Sequence, residues 1–477
     1  MTTALMGALP LPPIVWFAIT VGGALAAVLI VAAVGFALFY RPPPPRSHGS
    51  ARWAKDGEIK GYYSGTGPVI GRDGRGRLLR AGGDAPLVTI APTRAGKGAG
   101  QIVPTLLVEK TSAVVIDPKG EACRATGQRR EEFGPVYVVD PFGIAGAPTC
   151  GYNPIGELAA SPTIVEDAFR LAEALAPVEE GGHPHFDPVA RTLLRAIILY
   201  VATELPPDRQ NLLSVREILN LPAKLLRERL EEMATHELDA VAGPARQHLG
   251  RDDRESAGVL STCGRHTEWL DSPLVAAVVA KSDFQFRRLK EDVGTVFIVL
   301  PPDQISVFSR WLRLLTTCVV SEFTQSPGAG GKGPCLFVVD EAAALGRIDA
   351  LENSNAVMAG LGLRLWGFWQ DLGQLQAVYG KKADSFLANA GTQIFLSVAD
   401  GTTAEKVSRA LGNETVVIGS RPHTTRVGRP LLSPDQVRLE KNLIVFGRGL
   451  KPVRATAVRW FSDKHFKNLG HNERSPS

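Results

Sequence analysis

The chain has 477 residues, of which 44% are hydrophobic and 21% charged, and a formal net charge of +5. That length is too great for one ordinary core, so two or more structural units are expected, and the composition is that of a folded rather than a disordered chain. The small basic excess fits transient contact with nucleic acid or anionic lipid without demanding either. Five scattered cysteines, Cys123, Cys150, Cys263, Cys318 and Cys335, show no paired metal spacing and read as reduced thiols of a cytosolic compartment.

The first forty residues carry no charged side chain, and the run from Ile14 to Tyr40 is almost wholly apolar. As a helix it would reach about 40 Å at about 1.5 Å per residue, enough for a hydrocarbon layer of about 30 Å. A cleaved signal peptide would need a basic start and a shorter apolar stretch, and both are missing. Arg41, Arg46, Arg52 and Lys55 follow at once, which places the remainder of the chain in the cytoplasm behind a single-pass anchor (residues 14–40 within 1–40).

Residues 41–85 form a proline-rich exit, "RPPPPRSHGS", followed by glycine-rich turns and short edge strands. From 86 to 154, apolar runs ("PLVTIAP", "TSAVVID", "GPVYVVDPF") alternate with helical stretches, the pattern of a parallel sheet covered on both faces. From 155 to 292 strand candidates vanish. "TIVEDAFRLAEALAP", "DPVARTLLRAIILYVATEL" and "AKLLRERLEEMATHELDAV" carry apolar residues at helical spacing, so an inserted all-α domain is predicted. Strand-like runs return over 293–463: "GTVFIVLP", "CLFVVDEA", "RLWGFWQ", "TQIFLSV" and "NLIVFGRG". The simplest account is one α/β sheet split by the insertion, ending in a loose polar tail over 464–477.

Between the first strand and its helix lies "APTRAGKGAG", Ala91 to Gly100. It follows the phosphate-loop pattern except that Ala91 stands for the first glycine and Gly98 for the usual hydroxyl residue. Small residues let the backbone curl, so that N–H groups of Thr93, Arg94, Ala95, Gly96, Lys97, Gly98 and Ala99 can point at phosphate oxygens. Lys97 would add a full charge to the β- and γ-phosphates. A glycine-rich turn between strand and helix is the alternative. "CLFVVDEAAALG" ends a buried strand in Asp340 and Glu341, suited to a Mg²⁺ ligand followed by a base for the attacking water. Loop and acidic pair together point to nucleotide hydrolysis. Gln370, ending the next strand, is either a reporter of the γ-phosphate or a helix-capping residue. Without a hydroxyl at Gly98, Mg²⁺ would rely on Asp340, phosphate and water.

Eight blocks, "HGSARWA", "APTRAGKG", "VVIDPKGE", "YVVDPF", "YNPI", "VVDEAAALG", "WQDLGQLQAVYG" and "LLSPDQVR", resemble in type and order those of the coupling-protein ATPases of type IV secretion and conjugation systems. The resemblance implies a RecA-type P-loop motor domain with an inserted all-α domain, held in the bacterial inner membrane. It also implies a homo-hexamer binding ATP and Mg²⁺ between subunits, and partners comprising single-stranded DNA, a relaxase or effector protein, the secretion channel and membrane lipid. It assigns Lys97 to the phosphates, Asp340 to magnesium, Glu341 as catalytic base and Gln370 as γ-phosphate sensor. Asp117, Lys119 and Glu121 of "DPKGE" would lie beside the nucleotide or at a subunit boundary, or form an ion-pair cluster. Arg347 and Arg364 are candidates for an arginine acting in trans, with ordinary surface arginine as the alternative for each. Many relatives carry two membrane helices, where this sequence shows one.

Two rival readings share part of this pattern: a hexameric chromosome-segregation translocase, and a non-hydrolysing membrane receptor for cargo. Two further constellations are weaker. His183, His185 and Asp187 alternate in "HPHFDPVA", a weak metal pattern against helix capping by Asp187. Ser261, Cys263 and His266 lack an orienting partner for nucleophilic chemistry. The basic and polar stretch 245–270 could touch cargo or simply present a solvated helix face.

Overall fold

The computed structural model describes residues 12–39, 47–177, 186–325, 333–347, 358–419 and 425–471. His183 and His185 lie outside them. Among the described residues thirteen strands run in chain order: β1 (Val69–Arg72), β2 (Leu78–Arg80), β3 (Leu87–Ile90), β4 (Ala113–Ile116), β5 (Val136–Val139), β6 (Thr295–Ile298), β7 (Cys335–Val339), β8 (Leu363–Trp369), β9 (Thr392–Phe395), β10 (Asn413–Ile418), β11 (Thr425–Pro430), β12 (Leu443–Gly447) and β13 (Val453–Ala455). The chain divides into two units: a small one, from the chain up to Ala51 together with Gly412–Pro430, and a large one from Arg52–Leu411 with Leu431 onward.

The large unit is built on a nine-stranded sheet in the order β13-β12-β9-β3-β8-β7-β4-β6-β5. Every residue of β3, β4, β6, β7 and β8 is buried, which is why these strands read as unbroken apolar runs rather than alternating ones. Val114 and Ile116 feed one face; Ala113 and Val115 feed the other. Full burial of each large apolar side chain is worth about 1.5–3 kcal/mol.

From β9 to β5 the neighbours are parallel. The wholly parallel sheet expected from the sequence needs correcting at one edge: β12 runs antiparallel to β9, and β13 antiparallel to β12. An apolar run encodes burial, whereas strand direction is set by the connection that delivers it.

Between β5 and β6 every described element is helical, from Pro154–Leu158 to Arg288–Glu291. Residues of these helices, such as Leu194, Ile197 and Val259, share one continuous core with the sheet face of Val88 and Val114. The single long helix suggested by "AKLLRERLEEMATHELDAV" is two, Ala223–Met233 and Asp239–Leu249. The break comes where the His236 ring accepts the Leu238 N–H at 2.9 Å and draws it from the helix ladder. Asp187 stands in the first turn of the helix Phe186–Glu204, at the helix entry expected, with its carboxylate buried against Arg265 at 2.9 Å. The loose tail expected from 464 is corrected at its start, since Phe466 is fully buried with Val458 and Trp460.

Glu157 sits in the first of these helices, and its Oε2 accepts the Tyr152 hydroxyl at 2.9 Å while its other oxygen is buried without a hydrogen-bond partner among the described residues. Burial, aided by the nearby Glu322, raises its pKa to about 7. The folded state therefore holds a proton that the unfolded chain releases near pH 4.5, and stability falls as pH rises through about 7. Glu157→Gln is expected to leave the melting midpoint at pH 5 nearly unchanged and to raise stability at pH 8 by about 2 kcal/mol.

In the small unit, Pro13–Phe39 is one helix of 27 residues with no acidic or basic residue in its end turns. Among the described residues no helix is long and apolar enough to cross a membrane.

Candidate active site

Because β3, β8, β7 and β4 are adjacent and parallel, their C-terminal ends open on one rim of the sheet, where ligands of such folds bind. The loop Ala91–Lys97 leaves β3 there, Gln370 follows β8, Asp340 and Glu341 follow β7, and Asp117 follows β4. Residues far apart in the chain thus become neighbours through strand order alone.

Ala91 accounts for the first irregular letter of the loop. It is fully buried, its N–H donates to the Trp369 carbonyl at 2.8 Å, and its φ is not positive, so a glycine has no task there. The left-handed turns fall instead on Arg94 (φ 65°) and Gly96 (φ 92°). Glycine at 96 adopts its positive φ without the backbone strain that a residue with a side chain would carry there. Thr93 and Arg94 are exposed and Ala95 to Ala99 half-buried. A Cβ on Gly96 or Gly98 would meet nothing within 4 Å, leaving the cradle wall open on that side. The loop runs into a π-turn, Gly98–Ile102, and then into the α-helix Val103–Val108.

Lys97 Nζ lies 3.0 Å from Asp340 Oδ1 and 3.4 Å from Glu341 Oε2. Gln370 Nε2 donates to Glu341 Oε1 at 3.1 Å, and the Gln370 backbone N–H donates to Gln374 Oε1 at 2.9 Å. Burial pulls the Lys97 pKa down, but the two carboxylates more than reverse this and leave it raised. Burial raises Asp340 despite the lysine beside it. The trio sets the lysine between the two acidic side chains, with that of Asp340 24% exposed. Asp340 Oδ1 is paired with the Lys97 ammonium, so a move of the lysine would free a hard oxygen donor.

Asp117 is buried and caps the helix Glu121–Glu131, accepting the Cys123 N–H at 2.8 Å. Burial drives its pKa up to about 7, with Asp340 adding to the rise. Lys119 and Glu121 are exposed, so "DPKGE" is no buried ion-pair cluster. Gly120 makes its turn with φ 65°, pressed against Ala145. Arg364 is taken out of contention as a trans-acting group: it is 3% exposed and donates to the carbonyls of Ala85, Ala81 and Gly82 at 2.8, 2.7 and 3.2 Å. Arg347 is exposed in the loop after the acidic strand. Cys263 and His266 are buried, and burial pushes the Cys263 thiol far up, away from nucleophilic use. Sequence reasoning missed Gln374, which positions Gln370. The signal was available, since Asp371 caps a helix three residues before a glutamine.

A family model described as type IV secretory system conjugative DNA transfer matches residues 50–475. The chain belongs to that family. Protein VirD4 of Agrobacterium fabrum is 32% identical over 456 residues, covering 88% of this chain and 67% of that protein. Conjugal transfer protein TraG of Escherichia coli is 30% identical over 450 residues, covering 82% and 70%. Among solved structures, plasmid coupling protein TrwB in complex with the non-hydrolysable ATP analogue ADPNP has a TM-score of 0.68 at 19% identity, covering 92% of this chain and 98% of that one. That likeness is one of fold: an α/β architecture with a parallel-rich central sheet. Membership in the conjugative transfer family also sets aside the chromosome-segregation reading.

Proposed function

We propose that the chain is a membrane-anchored ATPase that couples hydrolysis to feeding relaxase-bound single-stranded DNA, or a protein, into a type IV secretion channel. The observation that carries the reading is the Lys97 ammonium held between Asp340 and Glu341 on one sheet rim. The donor set fits nucleotide and metal: an open glycine-lined loop, a lysine, and a carboxylate oxygen on Asp340 that the lysine would release to a metal on turning to phosphate.

Lys97 would exchange its carboxylate partners for the β- and γ-phosphates as ATP enters, and the loop N–H groups would hold the remaining oxygens. Asp340, released, would hold Mg²⁺, which when bound neutralises phosphate charge. Glu341 would orient a water molecule and take its proton as the water oxygen bonds to the γ-phosphorus and the bridging bond to ADP breaks. Gln370, already hydrogen-bonded to Glu341, would pass the presence or absence of the γ-phosphate to the helix Leu372–Tyr379. Assembly as a homo-hexamer around the strand would let backbone contacts grip DNA by charge rather than sequence. The helix Pro13–Phe39 and the arginines after it serve as a single-pass inner-membrane anchor with the bulk of the chain in the cytoplasm.

Glu341→Gln decides between this reading and a non-hydrolysing receptor. The variant is expected to bind ATP as the parent does, to lose turnover by about 10²-fold or more, and to abolish plasmid transfer. Transfer at the parental frequency with no hydrolysis by either protein would establish the receptor instead.

A further inference from the structure

The loop that carries Lys97 is held from outside as well as by its own turn. After β13 the chain pairs with the end of β1: the Arg72 N–H donates to the Thr456 carbonyl at 2.8 Å, and the Thr456 N–H to the Arg72 carbonyl at 2.7 Å. It then runs as a strap, Val458–Leu469, against the turn that leaves the loop. The Trp460 N–H donates to the Ala99 carbonyl at 3.1 Å. In an α-helix that carbonyl would accept the N–H four residues on, from Val103. Here the Val103 N–H goes one residue further back, to the Gly98 carbonyl, and this is what makes the exit a π-turn.

The turn has little to hold it in this form by itself. Gln101, within it, is 1% exposed, and neither its amide oxygen nor its amide nitrogen has a hydrogen-bond partner among the described residues. Burying both unpaired is costly, so this side chain gives the wide turn no support. The strap, by contrast, has anchors away from the loop. Phe466 is fully buried beside Val69, Leu107 and Ala125. Asp463 accepts both Nε and Nη2 of Arg72 at 2.8 Å, and the His471 N–H donates to the Ala125 carbonyl at 3.0 Å. Approach to the turn is close. A Cβ on Gly100 would stand 2.9 Å from the Val458 carbonyl oxygen, so glycine is what admits the strap there.

We propose that the strap Val458–Leu469 positions the phosphate loop: the backbone N–H of Trp460 occupies the Ala99 carbonyl, keeps the exit turn wide, and so aims the Gly98 and Ala99 N–H groups at nucleotide. The proposal rests on the loop being the nucleotide site. It is with the turn in this form that Lys97 stands between Asp340 and Glu341. When the strap lets go, the Ala99 carbonyl regains the Val103 N–H, the turn tightens to an α-turn, and the loop N–H groups rotate out of aim. Strap attachment and nucleotide affinity are then linked, each changing the other by the same factor.

Two substitutions in the full chain loosen the strap without touching a group assigned to phosphate, metal or water. Gly100→Ala presses a methyl group against the Val458 carbonyl while giving the helix a better helix former. Asp463→Ala cuts the Arg72 anchor, away from the loop. Each is expected to raise the dissociation constant of a fluorescent ATP analogue at least about fivefold, with the maximal rate of hydrolysis within a factor of about two of the parent. In the parent, saturating ADPNP is expected to slow hydrogen exchange over 458–469 by a similar factor. This measurement on the parent needs no variant and decides the matter even if Gly100→Ala fails to fold. Parental affinity in a folded variant, or strap exchange that ADPNP leaves unchanged, overturns the strap's role and keeps the nucleotide site. A parent chain that binds no ATP analogue overturns both.

Discussion

Lys97→Ala is expected to cut ATP turnover by about 10²–10³-fold or more, the usual cost of deleting one preorganised charge from a phosphoryl-transfer site. The reason lies in what the ammonium touches. In this structure it neutralises Asp340 and Glu341 together, at 3.0 and 3.4 Å, so its removal leaves two half-buried carboxylates facing each other. Those carboxylates would then repel the triphosphate that Lys97 should attract. Nucleotide affinity is expected to fall along with the rate, in contrast to Glu341→Gln, which should spare binding. Measuring the dissociation constant of a fluorescent ATP analogue and the steady-state rate on both variants separates the two roles. Parental turnover in Lys97→Ala would remove the lysine from the mechanism.

Arg364→Leu is expected to act on stability and leave the chemistry alone. The guanidinium is buried, its pKa drawn down by burial to about 10, and its donors fill the carbonyls of Ala81, Gly82 and Ala85. Leucine fills much of the space and strands those carbonyls, at about 1–3 kcal/mol for each one left without a partner. A loss of about 3 kcal/mol or more follows, lowering the melting midpoint by several degrees in a chain of this size. Turnover per folded molecule should stay within a factor of about two of the parent. An arginine acting in trans behaves in the opposite way, losing about 10³-fold in rate with the midpoint intact. That second pattern would return Arg364 to the candidates for the intersubunit site.

Much of the sheet was legible before any coordinates. Strands buried on both faces, such as β3, β4 and β8, must be apolar throughout, and glycine-rich or acidic residues mark where they end. The loop at Lys97, the Asp340–Glu341 pair and Gln370 could therefore be located as strand termini. The inserted helices were legible too, from their spacing, although their break at His236 was not, because a ring nitrogen capturing one N–H leaves no trace in periodicity. The hairpin β10–β11 escaped notice for a different reason. Its residues are mostly exposed or half-exposed, so no burial pattern distinguishes it from loop.

By itself the sequence determined which segments are buried strands, which are helices, and which polar residues terminate them, since these depend on neighbours a few positions apart. Only the tertiary structure decided that β3, β8, β7 and β4 lie side by side, that β12 runs against them, and that Arg364 turns inward to three carbonyls. Strand order and direction come from long-range pairing, whose free energy depends on contacts between residues hundreds of positions apart and on no local pattern. The closeness of Lys97 to Asp340 is a product of that ordering.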